Sequence, residues 1–119
     1  MRVPDATHAT IATFDIDLSR EAEAREALHR FIVPSVRQAP GFVSGHWTLD
    51  RDKHESVVLV TFEFVEQAAS FVESVRANRE NQEQAGVHLT SIRVVEVTAC
   101  ASGNQHSAEG STETAPVEW

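Results

Sequence analysis

Residues 56–64 read SVVLVTFEF, a run of β-branched and aromatic side chains that makes the strongest strand signal in the chain. Twofold alternation puts Val58, Val60, Phe62 and Phe64 on one face. Val57 and Leu59 make the opposite face apolar too. A strand that is apolar on both sides belongs in a sheet covered on both sides.

On the N-terminal side, the charged run DRDKHE (50–55) reads as a solvated hairpin turn leading back to FVSGHWTL (42–49). In that shorter strand Val43, Gly45, Trp47 and Leu49 share one face, and Phe42, Ser44, His46 and Thr48 the other. Pro40-Gly41 ends the element before it. From Arg20 to Gln38 the period becomes helical: Ala24, Ala27, Leu28, Phe31, Ile32 and Ser35 recur at spacings of three and four. Ser19 offers an N-cap, and Glu21 and Glu23 place negative charge in the first turn, where the dipole favours it. Pro34 removes a backbone donor and is expected to kink or loosen the last turns. A first strand precedes this helix in HATIATFDID (8–17), with Thr10, Ala12, Phe14 and Ile16 on one face.

On the C-terminal side, EQAASFVESVRANRE (66–80) is helical, with Ala68, Ala69, Val72 and Val75 inward and Phe71 beside them. A polar stretch runs through Gly86, and HLTSIRVVEVTA (88–99) supplies the last strand. The order β-α-β-β-α-β predicts an α+β, ferredoxin-like antiparallel sheet. Right-handed crossovers put both helices on one face. The other face then needs a second layer, most simply the same sheet from a second copy, so a homodimer is expected.

A chain of 119 residues fits one domain. It is assigned to residues 8–99, after an N-terminal extension over 1–7. Residues 100–119, rich in Ser, Thr, Gly, Ala and Glu, offer too little apolar surface to offset ordering entropy and are expected to form a flexible tail. The net charge of −8 disfavours both nucleic acid and anionic membranes as partners. A lone cysteine, Cys100, no apolar run near the ~20 residues of a membrane span, and no apolar leader after Met1 make the cytoplasm the expected location.

No catalytic signature stands out. His8, His29, His46, His54, His88 and His106 lack the paired spacing of metal ligands and read as surface or structural histidines, so no metal site is expected. Glycine-rich phosphate loops and nucleophile elbows are absent from the sequence. The remaining candidate is aromatic. By the periodicities above, Phe14, Phe31, Trp47, Phe62 and Phe71 all point between sheet and helices, either as solid core or as a pocket for a flat apolar ligand.

Proline-glycine, a short strand with glycine and tryptophan, a polar turn, a Val-rich strand ending in Phe-Glu and an Ala-rich helix run through PGFVSGHWTLDRDKHESVVLVTFEFVEQAASFVESV. This stretch, with its flanking helix and strand, resembles the dimeric α/β-barrel superfamily, and within it the antibiotic biosynthesis monooxygenase (ABM) group. The resemblance covers nearly all of residues 8–99. It implies ferredoxin-like subunits paired sheet to sheet. Some members oxidise polycyclic aromatic substrates with molecular oxygen and without metal or flavin; others degrade haem. The haem-degrading Asn, Trp and His have Ala12, Phe71 and Asn81 at their approximate positions here, so that triad is absent. Tyrosine is absent altogether, which excludes a tyrosine-dependent variant of the oxidation.

The aromatic cluster and the resemblance support two expectations. In the first, the chain is a cofactor-independent monooxygenase of a phenolic or quinol-like small molecule, with Phe14, Phe31, Trp47 and Phe71 as pocket walls, Asn81 and His88 as polar contacts, and no named base. In the second, it is a non-catalytic dimeric module, binding or structural, whose aromatic cluster is core.

Overall fold

The computed structural model describes residues 5–101 and 103. Four strands, β1 (His8–Ile16), β2 (Phe42–Trp47), β3 (Glu55–Phe62) and β4 (Val87–Glu96), form one sheet in the order β2-β3-β1-β4. All three neighbouring pairs are antiparallel. With helices in both crossovers, this is the ferredoxin-like α+β fold expected from the element order. The pairing extends beyond β1, because Thr7 N–H donates to Phe62 O at 2.9 Å and Val97 N–H donates to Thr7 O at 2.8 Å. The expected tail over 100–119 falls almost entirely outside the described residues.

The β1–β2 crossover is a broken helical segment. A turn of 3-10 helix at Leu18–Arg20 leads into α1 (Glu21–Ala27), then a π-helical turn at Leu28–Ile32 and α2 (Val33–Arg37). Asp17 caps the entry, its carboxylate accepting from Ser19 N–H at 3.0 Å, so the cap lies two residues before the expected Ser19. The π turn answers the expected disturbance at Pro34. Val33 N–H reaches back five residues to Leu28 O, just before the proline that has no N–H to offer.

That extra residue delays the inward stripe by one position. Val36 is buried where the period pointed to Ser35, and Phe31 is 64% exposed. The expectation that Phe31 faces the sheet is therefore corrected: a π turn shifts the helical stripe by about one residue, or roughly 100° of helix.

The β3–β4 crossover holds α3 (Val65–Ala77) and α4 (Arg79–Gln84). Gln67 Oε1 accepts from Phe64 N–H at 3.0 Å, closing the N-terminus of α3. The same side chain occupies the space where a Cβ on Gly41 would stand, and Gly41 itself has φ +78°, so both space and backbone require glycine there. The polar stretch after α3, to which the sequence reading assigned no element beyond residue 80, holds α4. Polar contacts hold it: Gln82 Nε2 donates to Val75 O at 3.0 Å, and Arg79 donates to Leu89 O at 3.3 Å.

On the helix side of the sheet, register aligns Thr10 with Val60 and Val94, and Ala12 with Val58 and Ile92. Together with Phe62 and Leu89 these residues meet Val36, Ala68 and Val72 from the helices in one core. Val60, Phe62 and Ala68 are fully buried, and Phe71 packs its ring 5.3 Å from that of Phe62. The opposite face pairs Ile11 with Leu59 and Thr13 with Val57. Ile11 and Leu59 stay only half-buried and Val57 is 37% exposed, so this face carries apolar side chains without cover from its own chain.

Candidate aromatic surface

β2 sets the geometry of the helix-side surface through an irregularity. Its register against β3 shifts between Phe42 and Ser44: Phe42 pairs with Phe62, and Ser44 with Thr61. The bulge inserts Val43 as the extra residue and brings Phe42 onto the same face as Gly45 and Trp47. Simple alternation assigned Phe42 to the opposite face, and the bulge corrects that.

Beyond the bulge, Gly45 pairs with Val60 and Trp47 with Val58. A Cβ on Gly45 would stand 2.9 Å from both Cη2 and Cζ3 of Trp47 and 3.4 Å from Cε1 of Phe42. The indole therefore folds back along its own strand over Gly45, with the Phe42 ring beside it. Phe42, Trp47, Phe14 and Phe71 all pack against the core while remaining half-buried. Phe71, Phe62, Phe42 and Trp47 thus make a row of rings from α3 to the edge strand, with Phe14 contributed from β1.

A test of this shelf is Gly45→Ala in a Trp119→Phe background, where Trp47 is the only fluorophore of its kind. The added methyl forces the indole off its seat. We expect a red-shifted Trp47 emission and a stability loss of about 1–3 kcal/mol, the usual range for an overpacked site. An unchanged spectrum would show that the ring does not rest on Gly45.

In the first crossover, α1 contributes no buried residue to the core. Ala24, Ala27 and Leu28 are half-buried only. The start of α1 is tied to the β2–β3 hairpin by a bidentate ion pair, in which Arg51 donates to the two Glu21 carboxylate oxygens at 2.9 and 2.7 Å. Arg25 donates to the same carboxylate at 2.9 Å. The hydrogen bond from Arg51, helped by the charges of Arg51 and Arg25, holds the Glu21 carboxyl below its ordinary value against a smaller desolvation cost. A lowered carboxylate pKa keeps the pair charged through neutral pH, and the pair is lost only as pH falls through that lowered value.

Of the residues singled out from sequence, the structure gathers Phe14, Trp47 and Phe71 around the core and leaves three elsewhere. Phe31 faces solvent from the π turn. Asn81 lies exposed on α4, donating to Asn78 Oδ1 at 2.7 Å. His88 pairs with Asp15, one step along each strand from the Phe14–Leu89 pair, so alternation puts it on the face opposite Phe14. Its Nδ1 lies 3.1 Å from a Glu83 carboxylate oxygen. There it borders a shallow groove of about 360 Å³ shared with Asp15, Ile16, Asp17, Glu83, Gly86 and Val87. That groove is acidic and carries no aromatic side chain, so Asn81 and His88 are corrected as contacts of an aromatic ligand.

Phe42 and the Glu21–Arg51 pair were not found by sequence reasoning. A glycine two residues before a tryptophan on one strand was the available signal for the shelf. Among the described residues no group of three or more His, Cys, Asp or Glu side chains is placed to hold a metal ion. No described helix is long and apolar enough to cross a membrane.

No protein-family model matches the chain, and no curated protein matches it in sequence. Solved structures do match in fold. A protein of unknown function from Nitrosomonas europaea superposes with a TM-score of 0.65 at 14% identity, over 83% of this chain and 96% of that one. A candidate antibiotic biosynthesis monooxygenase from Deinococcus radiodurans gives 0.57 at 14% identity, over 82% and 96%. The ActVA-Orf6 monooxygenase of Streptomyces coelicolor, solved with nanaomycin D, gives 0.56 at 15% identity, over 83% and 92%. The chain thus has the fold of the ABM-like proteins along nearly their whole length, as the sequence resemblance implied.

Proposed function

We propose that the aromatic row at the β2 edge of the sheet binds a flat aromatic small molecule, phenolic or quinol-like, and that the chain oxygenates it without a cofactor, as a homodimer. The observation that carries the reading is the Trp47 indole folded back against Gly45 beside Phe42, on a half-buried aromatic surface packed against the core. A flat ring system stacks on such a floor at offsets that satisfy its quadrupole. The shared fold with a monooxygenase solved with nanaomycin D supports the ligand class.

The chemistry asks little of the side chains. An acidic CH₂ of the substrate loses a proton, and the resulting carbanion gives an electron to oxygen. Recombination forms a C–O–O⁻ group, which takes up a proton. Loss of water from that hydroperoxide leaves C=O, so one oxygen atom enters the product and the other leaves as water. The row carries no base, so the ionised substrate comes from its own acidity. The protein's part is orientation and exclusion of water.

The test uses 1,8-dihydroxyanthrone as the probe. Expected results are a raised melting temperature, quenching of Trp47 emission in the Trp119→Phe background, and oxygen uptake above the uncatalysed rate. Trp47→Ala should abolish both the stabilisation and the oxygen uptake above the uncatalysed rate. No stabilisation and no quenching at saturating probe would sink the site. Binding without oxygen uptake would favour the second reading, a non-catalytic binding module, for which the absence of a base in the row is the supporting observation.

A further inference from the structure

We propose that the exposed Phe31–Ile32 pair on the first crossover is the docking surface for a segment of the same chain, Val117-Glu118-Trp119. The inference is independent of the aromatic row and of the ligand proposed for it.

Phe31 is the most exposed large apolar side chain among the described residues, at 64%, and Ile32 beside it is 38% exposed. Of residues 29–37 only Val33 and Val36 are covered. Exposed apolar side chains within a polar rim have the anatomy of a contact surface. Here the rim is basic. Arg30 and Arg37 are both exposed, and no acidic residue occurs between Glu26 and Asp50, although the chain carries 18. Glu26 lies one turn earlier and pairs with Arg30 at 3.5 Å, an exposed contact that is worth little.

Residues 104–119 have the opposite character. They carry Glu109, Glu113 and Glu118 with no lysine or arginine, and their large apolar side chains, Val117 and Trp119, flank Glu118. An apolar pair bracketing a carboxylate complements an apolar pair bordered by guanidinium groups. A second exposed apolar pair, Phe64 and Val65, lies between Glu63 and Glu66, which repel the same segment. Charge therefore selects the first pair.

Length permits the contact. The chain leaves β4 at the end of the sheet where the first crossover finishes. There Glu63 N–H donates to Gly41 O at 2.9 Å, Thr7 Oγ1 to Glu63 O at 2.7 Å, and Val97 N–H to Thr7 O at 2.8 Å. Three strand spacings, about 14 Å, separate Gly41 from Val97. Phe31 lies a further ~15 Å back along the helical crossover. A coil from Val97 to Trp119 has an r.m.s. span of about 26 Å, close to that separation. A tether matched to its target in this way gives an effective concentration in the millimolar range, enough for a weak, reversible contact.

The experiment follows Trp119 emission in the full chain carrying Trp47→Phe, with circular dichroism to check that each variant is folded. Emission should be blue-shifted from that of N-acetyltryptophanamide, resist acrylamide quenching and not change on dilution. Phe31→Ala should return both signals to free-indole values, and high salt should move them the same way. Arg30→Glu with Arg37→Glu should act like Phe31→Ala, and adding Glu113→Lys with Glu118→Lys should restore the blue shift. Free-indole emission before any of these changes would overturn the docking. So would a blue shift that survives Phe31→Ala but is lost in Phe64→Ala or Phe42→Ala, which would place Trp119 on another surface. Emission that turns red on dilution would assign the contact to a second copy and overturn its same-chain character.

Discussion

Replacing Phe62 by Ala should cost about 3–5 kcal/mol of folding free energy, a large share of the ~5–15 kcal/mol that holds a domain together. Phe62 is fully buried. It sits at the end of β3 between Phe42 in β2 and His8 in β1, under the Phe71 ring of α3. Its removal takes a partner from both the sheet and the helix layer, and β3 and β1 are hydrogen-bonded on both sides, which limits how far the sheet can collapse into the space. Urea titration at fixed protein concentration should show a lower midpoint with an unchanged slope. Phe31→Ala is the matched control. It deletes the same atoms from a residue that sequence period also directed inward, yet the side chain is 64% exposed and the change should stay within about 0.5 kcal/mol. Similar losses for the two variants would mean that the π turn does not set the inward stripe.

The contrast between these two phenylalanines marks where sequence periodicity holds. Val58, Val60 and Phe62 were legible because β3 pairs on both sides along its length, and a doubly paired strand keeps its alternation. Ala68 and Val72 were legible because α3 is a regular helix of 13 residues. Misreadings arose where one residue is inserted. The π turn displaced Phe31 and brought in Val36, and the bulge at Val43 moved Phe42 to the helix side. Pro34 announced the first insertion without giving its form. Nothing in the local residues of β2 announces the second, because a bulge depends on how β2 meets its partner. α4 escaped notice for another reason. Its sequence, RENQEQ, has no apolar period, and only contacts to Val75 and Leu89 reveal why it is helical. His88 was misassigned because a ligand contact was inferred from its place along the strand, and alternation from Phe14 and Leu89 puts it on the other face.

The largest effect on assembly should come from Leu59→Asp. Leu59 lies on β3, an interior strand, with Ile11 beside it on β1 and His46 on β2, on the face that no helix covers. If a second copy closes this face, a two-fold axis brings the same patch from both copies together, so one substitution places two carboxylates in the interface. Each would be taken from water without a matched partner, at a cost of several kcal/mol. The dimer Kd should then rise by about a thousand-fold or more. The monomer should remain folded, because Leu59 is half-exposed in the single chain and contributes nothing to the helix-side core. Sedimentation at micromolar concentration should give a dimer for the wild type and a folded monomer for Leu59→Asp, with near-native circular dichroism. A monomeric wild type would refute the pairing outright. An unchanged mass for Leu59→Asp would place any dimer contact elsewhere, and the apolar character of Val57 and Leu59 would then need a different partner. Arg93 stands beside Ile11 on β4, so the patch has a basic edge as well as an apolar centre. A carboxylate at 59 gains only partial relief from that guanidinium, since the two strands are separated by β1. Leu59→Arg removes even that relief and should dissociate the pair at least as fully, which separates loss of apolar contact from a rescue by Arg93.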